Sequence, residues 1–584
     1  MNFLVGSLVT LALSLILTLL VRAVTRRQGI VAAPRADRWH KKPTAMLGGI
    51  AIYLAFNTGY LFFAAELPAA YPILVAGSLL FVTGLLDDLY QLKPYTKLVA
   101  QVIAASATIY FGVKLTITPY EIVNDFLTIF WLVGITNAIN LLDNMDGLAG
   151  GISLISCLFL LITFLVGGQL GEAIIPALLG AAVMGFLFFN FNPASIFMGD
   201  CGSMFLGFML GGTALLSYGR LRNLTAVLLT PVLILLIPIF DTCLVTVTRK
   251  LSGRPVSQGG RDHTSHRLVA MGMSERRAVI MLYFLAALSG ALAMMVRFVS
   301  PGVTLLMVPG FVLAMLFIGL YLGKVRVYEE GEQPENNLLI RVLADFSYKR
   351  RIFEVMLDLL LAALAYYGAY LLRFDGEIPG QQLTIFLKTL PLLLLIEMGA
   401  FWFCGVYRGL WRYTGVDDLI TIAKSVTVYA VSSAAVVFMI YNLRGPSRSV
   451  FVLNGILLFL FVSASRLSFR LLPVLIVDPK RRGSPDAKPV LIYGAGDGGA
   501  LLIREILNNP EHRYMPVGFI DDDERKTGKL IYGYRIFNSG EVPRLVERHG
   551  VSEVLVSSGK VSEQKLDSIR GLGLGLRRMS IRIE

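Results

Sequence analysis

Along the first 325 positions, uncharged apolar runs alternate with short polar stretches. The runs are residues 3–21, 43–65, 67–86, 98–113, 126–142, 147–171, 173–199, 201–219, 223–240, 279–296 and 298–323. Each approaches the roughly twenty residues that a helix needs to cross a bilayer, so about eleven spans are predicted before residue 325. Residues 326–349, "RVYEEGEQPENNLLIRVLADFSYK", are polar and read as a linker. Four further candidate spans follow at 351–372, 384–407, 417–442 and 449–471. From about residue 484 the pattern changes: "PVLIYGAG", "PVGFIDDD" and "SEVLVSS" are of strand length and alternate with amphipathic stretches such as "ALLIREILNN" and "VPRLVERHG". That alternation predicts a small α/β domain with a parallel sheet. The expected fold is a polytopic α-helical membrane protein, about eleven plus four spans, with a C-terminal α/β domain. The expected domains are 1–325, a linker at 326–349, a four-span domain at 350–472 and the α/β domain at 484–584.

Composition agrees with that pattern. The 584 residues are 55% hydrophobic and 16% charged, against about 25% charged in soluble domains. The first run has no basic residues before it, and Arg22, Arg26 and Arg27 follow it. It therefore reads as a first span with its N-terminus outside, not as a cleaved signal. The net charge of +13 gathers in loops such as 22–42, 93–97, 249–254, 260–267, 348–351 and 478–483. Span parity puts those loops on one side, as the positive-inside rule asks of the cytoplasm, and removes the need for a nucleic-acid partner. The loop "GRLRN" at 219–223 runs against the trend. Four cysteines, in or beside apolar runs, form neither a disulfide framework nor a CxxC pattern.

Polar residues cluster at the same ends of successive spans. After the third come Asp87, Asp88, Lys93, Lys97 and Gln101; after the fifth, Asn137, Asn140, Asp143, Asn144 and Asp146; after the seventh, Asn190, Asn192, Asp200 and Ser203. After the ninth come Asp241, Arg249, Arg254, Arg261, Asp262, His263, His266 and Arg267. Carboxylates mixed with Lys, Arg and His at a membrane surface suit a hard divalent cation and phosphates. Mg²⁺ takes one or two carboxylates and lets substrate phosphates complete its shell, and fixed cations hold the rest of a diphosphate. Plain helix caps, a turn at Asp146-Gly147 and ordinary loop histidines are the competing readings of single clusters.

The segments "RADRWHKKPTAMLGGI" (35–50), "GLLDD" (84–88), "YTKLVAQ" (95–101), "NAINLLDNMDGLAGG" (137–151), "FMGDCGS" (197–203) and "GRDHTSHRL" (260–268) resemble the polyprenyl-phosphate N-acetylhexosamine-1-phosphate transferases. The resemblance covers about residues 1–325 and keeps the family's motif order. It implies Mg²⁺-dependent exchange, with Mn²⁺ as the alternative cation: UDP-sugar and undecaprenyl phosphate give undecaprenyl-diphospho-sugar and UMP. It further implies that Asp87 or Asp88 is a proposed base or metal-site residue, that Asp200 is the metal ligand and that Lys97 contacts phosphate. Asp143 and Asp146 join these in the catalytic set. Asn137, Asn140, Asn190, His263, His266 and Arg267 fall to substrate binding. The histidine loop reads "DHTSHR" and not three adjacent histidines, which favours a simple N-acetylhexosamine such as GlcNAc over a muramyl-pentapeptide. The implied location is the bacterial inner membrane, with the site and C-terminal domain cytoplasmic. Homo-oligomers or other glycan-pathway enzymes are the implied partners beyond lipid and substrates.

In the C-terminal part, Gly494-x-Gly496-x-x-Gly499 lies between a predicted strand and helix, and Asp521 follows some twenty residues on. That is the layout of a Rossmann-like dinucleotide fingerprint, with a phosphate on the helix N-terminus. A glycine turn without ligand is the alternative. Residues 345–584 resemble the N-terminal part of membrane-bound nucleotide-sugar 4,6-dehydratases, whose catalytic domain carries a Tyr-x-x-x-Lys pair. None of Tyr493, Tyr514, Tyr532 and Tyr534 has Lys four residues on. This half is therefore expected to sense a nucleotide or NAD, or to dock a partner that modifies nucleotide sugars. A secondary transporter would place carboxylates near span midpoints, and an inactive scaffold would have lost Asp88, Asp146 or Asp200; in residues 1–325 neither pattern is seen.

Overall fold

The computed structural model describes residues 2–32, 43–63, 67, 70–217, 224–251, 254, 260–323, 346–408, 415–440, 447–476, 488–508, 514–557 and 563–578. The basic stretch 35–42, the loop 219–223 and most of the 326–349 segment lie outside them. The chain divides into two compact units, residues 1–471 and 472–584.

The first unit is helical. Its first block comprises α1 Asn2–Arg27, α2 Gly49–Phe63, α3 Tyr71–Tyr90, α4 Pro94–Tyr110, α5 Glu121–Leu142, α6 Leu148–Val166, α7 Ile174–Asn190 and α8 Gly199–Leu216. It continues with α9 Leu224–Ile234, α10 Leu236–Leu251, the short α11 Thr264–Ala270, α12 Glu275–Phe298 and α13 Pro301–Gly323. A small antiparallel pair, β1 Val31–Ala32 and β2 Thr44–Ala45, follows α1. Then come α14 Phe346–Arg373, α15 Gly380–Cys404, α16 Val416–Ile440 and α17 Arg448–Ile476.

Among the described residues, eleven helices are long and apolar enough to cross a membrane, seven of them before residue 325 and four after it. The chain is thus a multi-pass membrane protein, but four of the expected early spans are shorter helices. The runs at 43–65, 98–113 and 173–199 become α2, α4 and α7, of 15, 17 and 17 residues. The run at 223–240 is broken into α9 and α10. Pro238 explains the break: it has no N–H for the Ile234 carbonyl and its ring crowds that oxygen. Hydroxyls donate to carbonyls at the break, Ser156 Oγ to Ile234 O (3.3 Å) and Ser289 Oγ to Leu233 O (2.6 Å). Such substitution keeps a broken helix tolerable in apolar surroundings.

The central helix is α8, packed against α3 and α5. Small residues allow close approach: a Cβ on Gly84 would lie 2.4 Å from the Asp200 carbonyl, and one on Gly49 2.2 Å from the Gly202 nitrogen. Close backbone packing of this kind substitutes for the hydrophobic drive that lipid cannot supply. It also fixes the N-terminus of α8 against the C-terminal end of α3. Helices α14–α17 gather, with Leu313 and Phe317 of α13, around a second core that includes Tyr366, Tyr370, Phe401 and Tyr429.

The second unit is a six-stranded sheet in the order β5-β6-β4-β3-β7-β8. Its strands are β3 Lys488–Tyr493, β4 Tyr514–Asp521, β5 Leu530–Ile531, β6 Tyr534–Asn538, β7 Glu553–Val556 and β8 Gly575–Arg578. All neighbours pair in parallel except β5 with β6. Helices α18 Asp497–Asn508, α19 Val542–His549 and α20 Glu563–Arg570 complete the unit. Along β3, Val490 and Ile492 enter one core while Leu491 and Tyr493 enter the other. Both faces are therefore covered, as a parallel sheet requires. The parallel strands follow the 3-2-1-4-5 order of a doubly wound fold, which confirms the Rossmann-like expectation.

Candidate active site

The ends of α3, α4 and α8 meet at one lysine. Asp87 and Asp88 close α3, and Gln91 at φ 53° turns the chain into α4. Lys97 in the first turns of α4 places Nζ 2.9 Å from Asp87 Oδ2 and 2.9 Å from Asp200 Oδ2. The side chains stay partly open, 25% exposed for Lys97, 13% for Asp87 and 30% for Asp200, so a ligand has access. Asp87 Oδ1 accepts from the Leu92 amide at 2.7 Å, fixing the carboxylate.

Asp88 is engaged differently. Its two oxygens accept from the Asp200 and Cys201 amides, at 2.9 and 3.0 Å. It caps the first turn of α8, where a carboxylate is favoured by unpaired amides and the helix dipole. Gly199 has φ +76°, and a Cβ there would stand 2.6 Å from Asp88 Oδ2. Asp88 thus orients Asp200, and both its oxygens are committed to that task.

Amide side chains tie the adjacent helices in. Gln101 and Asn137 exchange hydrogen bonds, Nε2 to Oδ1 at 3.1 Å and Nδ2 to Oε1 at 2.8 Å. Asn140 Nδ2 donates to Ser203 Oγ at 2.8 Å, linking α5 to α8. Asp143 is half-buried at the end of α5. Asn190 and Asp146 hold backbone: Asn190 Oδ1 accepts from Gly147 N (3.1 Å), and Asp146 Oδ2 from Ala194 N (2.8 Å).

The histidine loop is joined to this array by Ser265 Oγ, which donates to Asn144 Oδ1 at 2.7 Å. Asp241 positions the loop's start, accepting from the Thr264 amide at 2.7 Å and lying 2.8 Å from His263 Nδ1. This contact turns Nδ1 towards Asp241 and the other ring nitrogen away from it. His266 packs edge-on to His263 with ring centroids 5.9 Å apart. Burial, reinforced by His263 and Arg261, pushes the His266 imidazolium down to about 4, and Asp241 and Asp262 offset this only in part.

Arg267 has a place other than the substrate contact expected of it. It is buried, and it donates to Asp262 O (2.7 Å), Leu322 O (3.0 Å) and Thr248 Oγ1 (3.1 Å), fastening the loop to α10 and the end of α13. Beside it, Arg249 makes a two-pronged bond to Asp262, both arms at 2.7 Å. In the sequence the signal of this pair is the opposite charge of Arg249 and Asp262, thirteen residues apart.

Among the described residues no three Asp, Glu, His or Cys side chains form a protein-only metal cage. Asp87 and Asp200 nevertheless converge on a single cation, the Lys97 ammonium. Two carboxylates with hard oxygen donors, left open on one side, fit a Mg²⁺ that draws its remaining ligands from water and phosphate.

In the second unit, β3 leads through Gly494 (φ +105°) into α18. A Cβ on Gly499 would lie 2.0 Å from Gly494 O, whereas one on Gly496 would meet open space. Asp521, at the end of β4, accepts from the Ala495 amide (2.8 Å), the Asp523 amide (3.0 Å) and Lys526 Nζ (3.0 Å). Partial burial opposes its charge, yet these donors outweigh it and hold the carboxyl below the usual range. The structure thus brings all four fingerprint residues together, with Asp521 turned onto the glycine loop.

Residues 70–218 match the model of glycosyl transferase family 4, and residues 403–569 match a model described as a CoA-binding domain. The chain is 34% identical over 291 residues to a probable undecaprenyl-phosphate N-acetylglucosaminyl 1-phosphate transferase of Bacillus subtilis, covering 48% of this chain and 81% of that one. It is 33% identical over 353 residues to a decaprenyl-phosphate N-acetylglucosaminephosphotransferase of Mycolicibacterium smegmatis, covering 54% and 86%. To an undecaprenyl-phosphate alpha-N-acetylglucosaminyl 1-phosphate transferase of Escherichia coli it is 26% identical, covering 54% and 89%. The chain belongs to glycosyl transferase family 4, the polyprenyl-phosphate N-acetylhexosamine-1-phosphate transferases.

Proposed function

We propose that the chain transfers N-acetylglucosamine 1-phosphate from UDP-GlcNAc to a polyprenyl phosphate, undecaprenyl phosphate in the bacterial inner membrane, on the cytoplasmic side. The observation that carries this reading is the meeting of Asp87, Lys97 and Asp200 at three helix ends. An oxygen of the lipid phosphate attacks the β-phosphorus of the sugar nucleotide. The bond from that phosphorus to the bridging oxygen breaks, and UMP leaves. Phosphoryl transfer asks a protein chiefly for positioning and for neutralisation of charge. Asp87 and Asp200 would hold Mg²⁺, which when bound supplies positive charge to the diphosphate oxygens. Lys97 contacts phosphate once its carboxylate partners engage the metal. Asp88 acts as a positioning residue through α8. His263 would turn its other ring nitrogen to the sugar nucleotide.

The test is UMP release by the purified full chain given undecaprenyl phosphate, UDP-GlcNAc and Mg²⁺. Release that needs all three supports the reading. Release unaffected by Asp200→Asn, or absent with every UDP-N-acetylhexosamine, overturns it. For the second unit we propose nucleotide or NAD binding at Gly494–Gly499, with a regulatory or docking role; the open space at Gly496 supports it.

A further inference from the structure

A second set of charged groups is buried in α14–α17, away from the residues assigned to transfer. Asp358 is 0% exposed and accepts from Arg466, itself 3% exposed, at 2.6 Å from Nη2 to Oδ2. Glu397 of α15 is 0% exposed and within electrostatic reach of both. Among the described residues neither carboxylate oxygen of Glu397 has a hydrogen-bond partner, nor has Oδ1 of Asp358. Tyr429 of α16 faces Glu397 and accepts from Asn454 of α17 at 2.8 Å, while Tyr407, after α15, lies within reach of all three charges. Glu354, one turn before Asp358, adds further negative charge from α14.

Charge and chemistry identify what is missing. Arg466 bonds directly to Asp358 and acts on Glu397 only at a distance. A buried carboxylate with no donor is costly, by several kcal/mol in order of magnitude, unless a proton or a cation joins it. Mid-helix backbone amides are already used in the helix and cannot serve. Among the described residues the carboxylate oxygens here that lack a hydrogen bond are Glu397 Oε1 and Oε2 and Asp358 Oδ1, with the Tyr407 hydroxyl likewise unbonded nearby. Ionisable residues held inside membrane helices commonly mark ion or proton sites.

We propose that α14–α17 bind a small monovalent cation, a proton or Na⁺, at Glu397, with Asp358 as second oxygen donor and Arg466 holding Asp358 in place. Occupancy offsets the charge of Glu397, and loss of the ion leaves Glu397 and Asp358 as a repelling pair of acids. The site is independent of the transferase reading, because none of its residues belongs to that machinery.

The test uses the full-length protein in detergent at constant ionic strength. In one arm NaCl replaces choline chloride and the thermal midpoint is followed. In the other, the infrared carbonyl band of a protonated carboxyl is followed from mildly acidic to mildly alkaline pH. A saturable rise with Na⁺ that Glu397→Gln abolishes identifies Na⁺, through ligand-linked stabilisation. A band that titrates and disappears in Glu397→Gln identifies the proton. If Glu397→Gln does not fold, Glu397→Asp, which keeps the charge on a shorter arm, is expected to shift whichever response the wild type shows. A wild type with no Na⁺ response and no titrating band, or responses unchanged in these variants, overturns the site.

Discussion

Asp88 and Glu397 are both carboxylates on membrane helices, and their surroundings differ in kind. Asp88 lies at the last turn of α3 and reaches the opening turn of α8, where the Asp200 and Cys201 amides have no partners within the helix. Glu397 lies about two turns inside the end of α15, among helices whose amides are spent. The first carboxylate is satisfied by the fold and becomes part of its geometry. The second has no hydrogen-bond partner for either oxygen among the described residues. Position along the helix decides the outcome, since only helix ends offer spare donors. Acids at helix ends can thus be structural or catalytic, while an unpartnered acid inside a helix calls for something the chain does not supply.

The sharpest way to break the comparison is to remove charge at the first site. Asp200→Asn keeps the side-chain shape but takes away one of the two carboxylates around Lys97. Transfer is expected to fall at least about a hundredfold, on the scale of losing one preorganised electrostatic group, with the protein still folded in detergent. Asp88→Asn is expected to fall less, because the α8 amides lose only part of their acceptor. Rates measured at saturating UDP-GlcNAc check both, and an Asp88 variant worse than the Asp200 variant would reverse the assigned roles.

The next effect concerns the histidine loop. Arg249→Ala leaves Asp262 buried, at 1% exposure, without its two-pronged partner. Breaking a buried pair from one side costs about 3–5 kcal/mol. The loop is expected to detach, and protease cleavage near residue 262 should rise with loss of transfer. Arg267→Ala is expected to act the same way and not as a selective change in KM for the sugar nucleotide, since its guanidinium holds Leu322 O and Thr248.

These residues show what could be read in advance. Apolar runs located the helices, because burial in lipid is written directly in composition. The clusters at helix ends include Asp87, Lys97 and Asp200, whose charges are costly elsewhere in a membrane, and the fold brings these three side chains together. What was not legible depends on contacts between distant segments. That Asp88 caps α8 follows from a 112-residue separation closed by glycine packing. Arg267 reads as a substrate-binding residue in the sequence because a basic residue beside histidines carries no mark of burial. Pro238 was visible and would have revealed the broken α9–α10, but hydropathy alone does not register a missing N–H. In α14–α17, the charges of Asp358, Glu397 and Arg466 were in plain view within apolar stretches, yet only the fold shows which of them lacks a partner.

A smaller effect follows from His266. Its folded value near 4 lies below its ordinary 6.5, so the unfolded loop binds protons more readily over that interval. The stabilising contribution is complete above about pH 6.5 and is lost as pH falls towards 4. At about 1.4 kcal/mol per unit, the full loss is about 3 kcal/mol. The wild type is expected to lose thermal stability between neutral pH and pH 5 more steeply than His266→Gln. Equal slopes in the two proteins would show that His266 is charged or exposed in the native state.

The smallest effect is expected in the second unit, and it separates a binding role from a structural one. Gly494 and Gly499 are required by the fold itself, the first by its φ of +105° and the second by a Cβ position 2.0 Å from Gly494 O. Gly496 is required by neither, since a Cβ there meets nothing. Conservation of shape without ligand therefore predicts that Gly496→Val is harmless, whereas a phosphate lying on the amino end of α18 would be displaced by it. Asp497 in the first turn of α18 places negative charge nearby, so affinity for a bare phosphate should be modest and a nucleotide should owe part of its hold to other contacts. Titration calorimetry of the full chain with UDP-GlcNAc, UDP and NAD is expected to show binding of at least one, lost in Gly496→Val, with the melting temperature unchanged and transfer altered by no more than a regulatory coupling of about 1–3 kcal/mol. No binding of any of the three by the wild type, with Gly496→Val fully active, would leave the glycine loop as a turn and the unit as a docking platform.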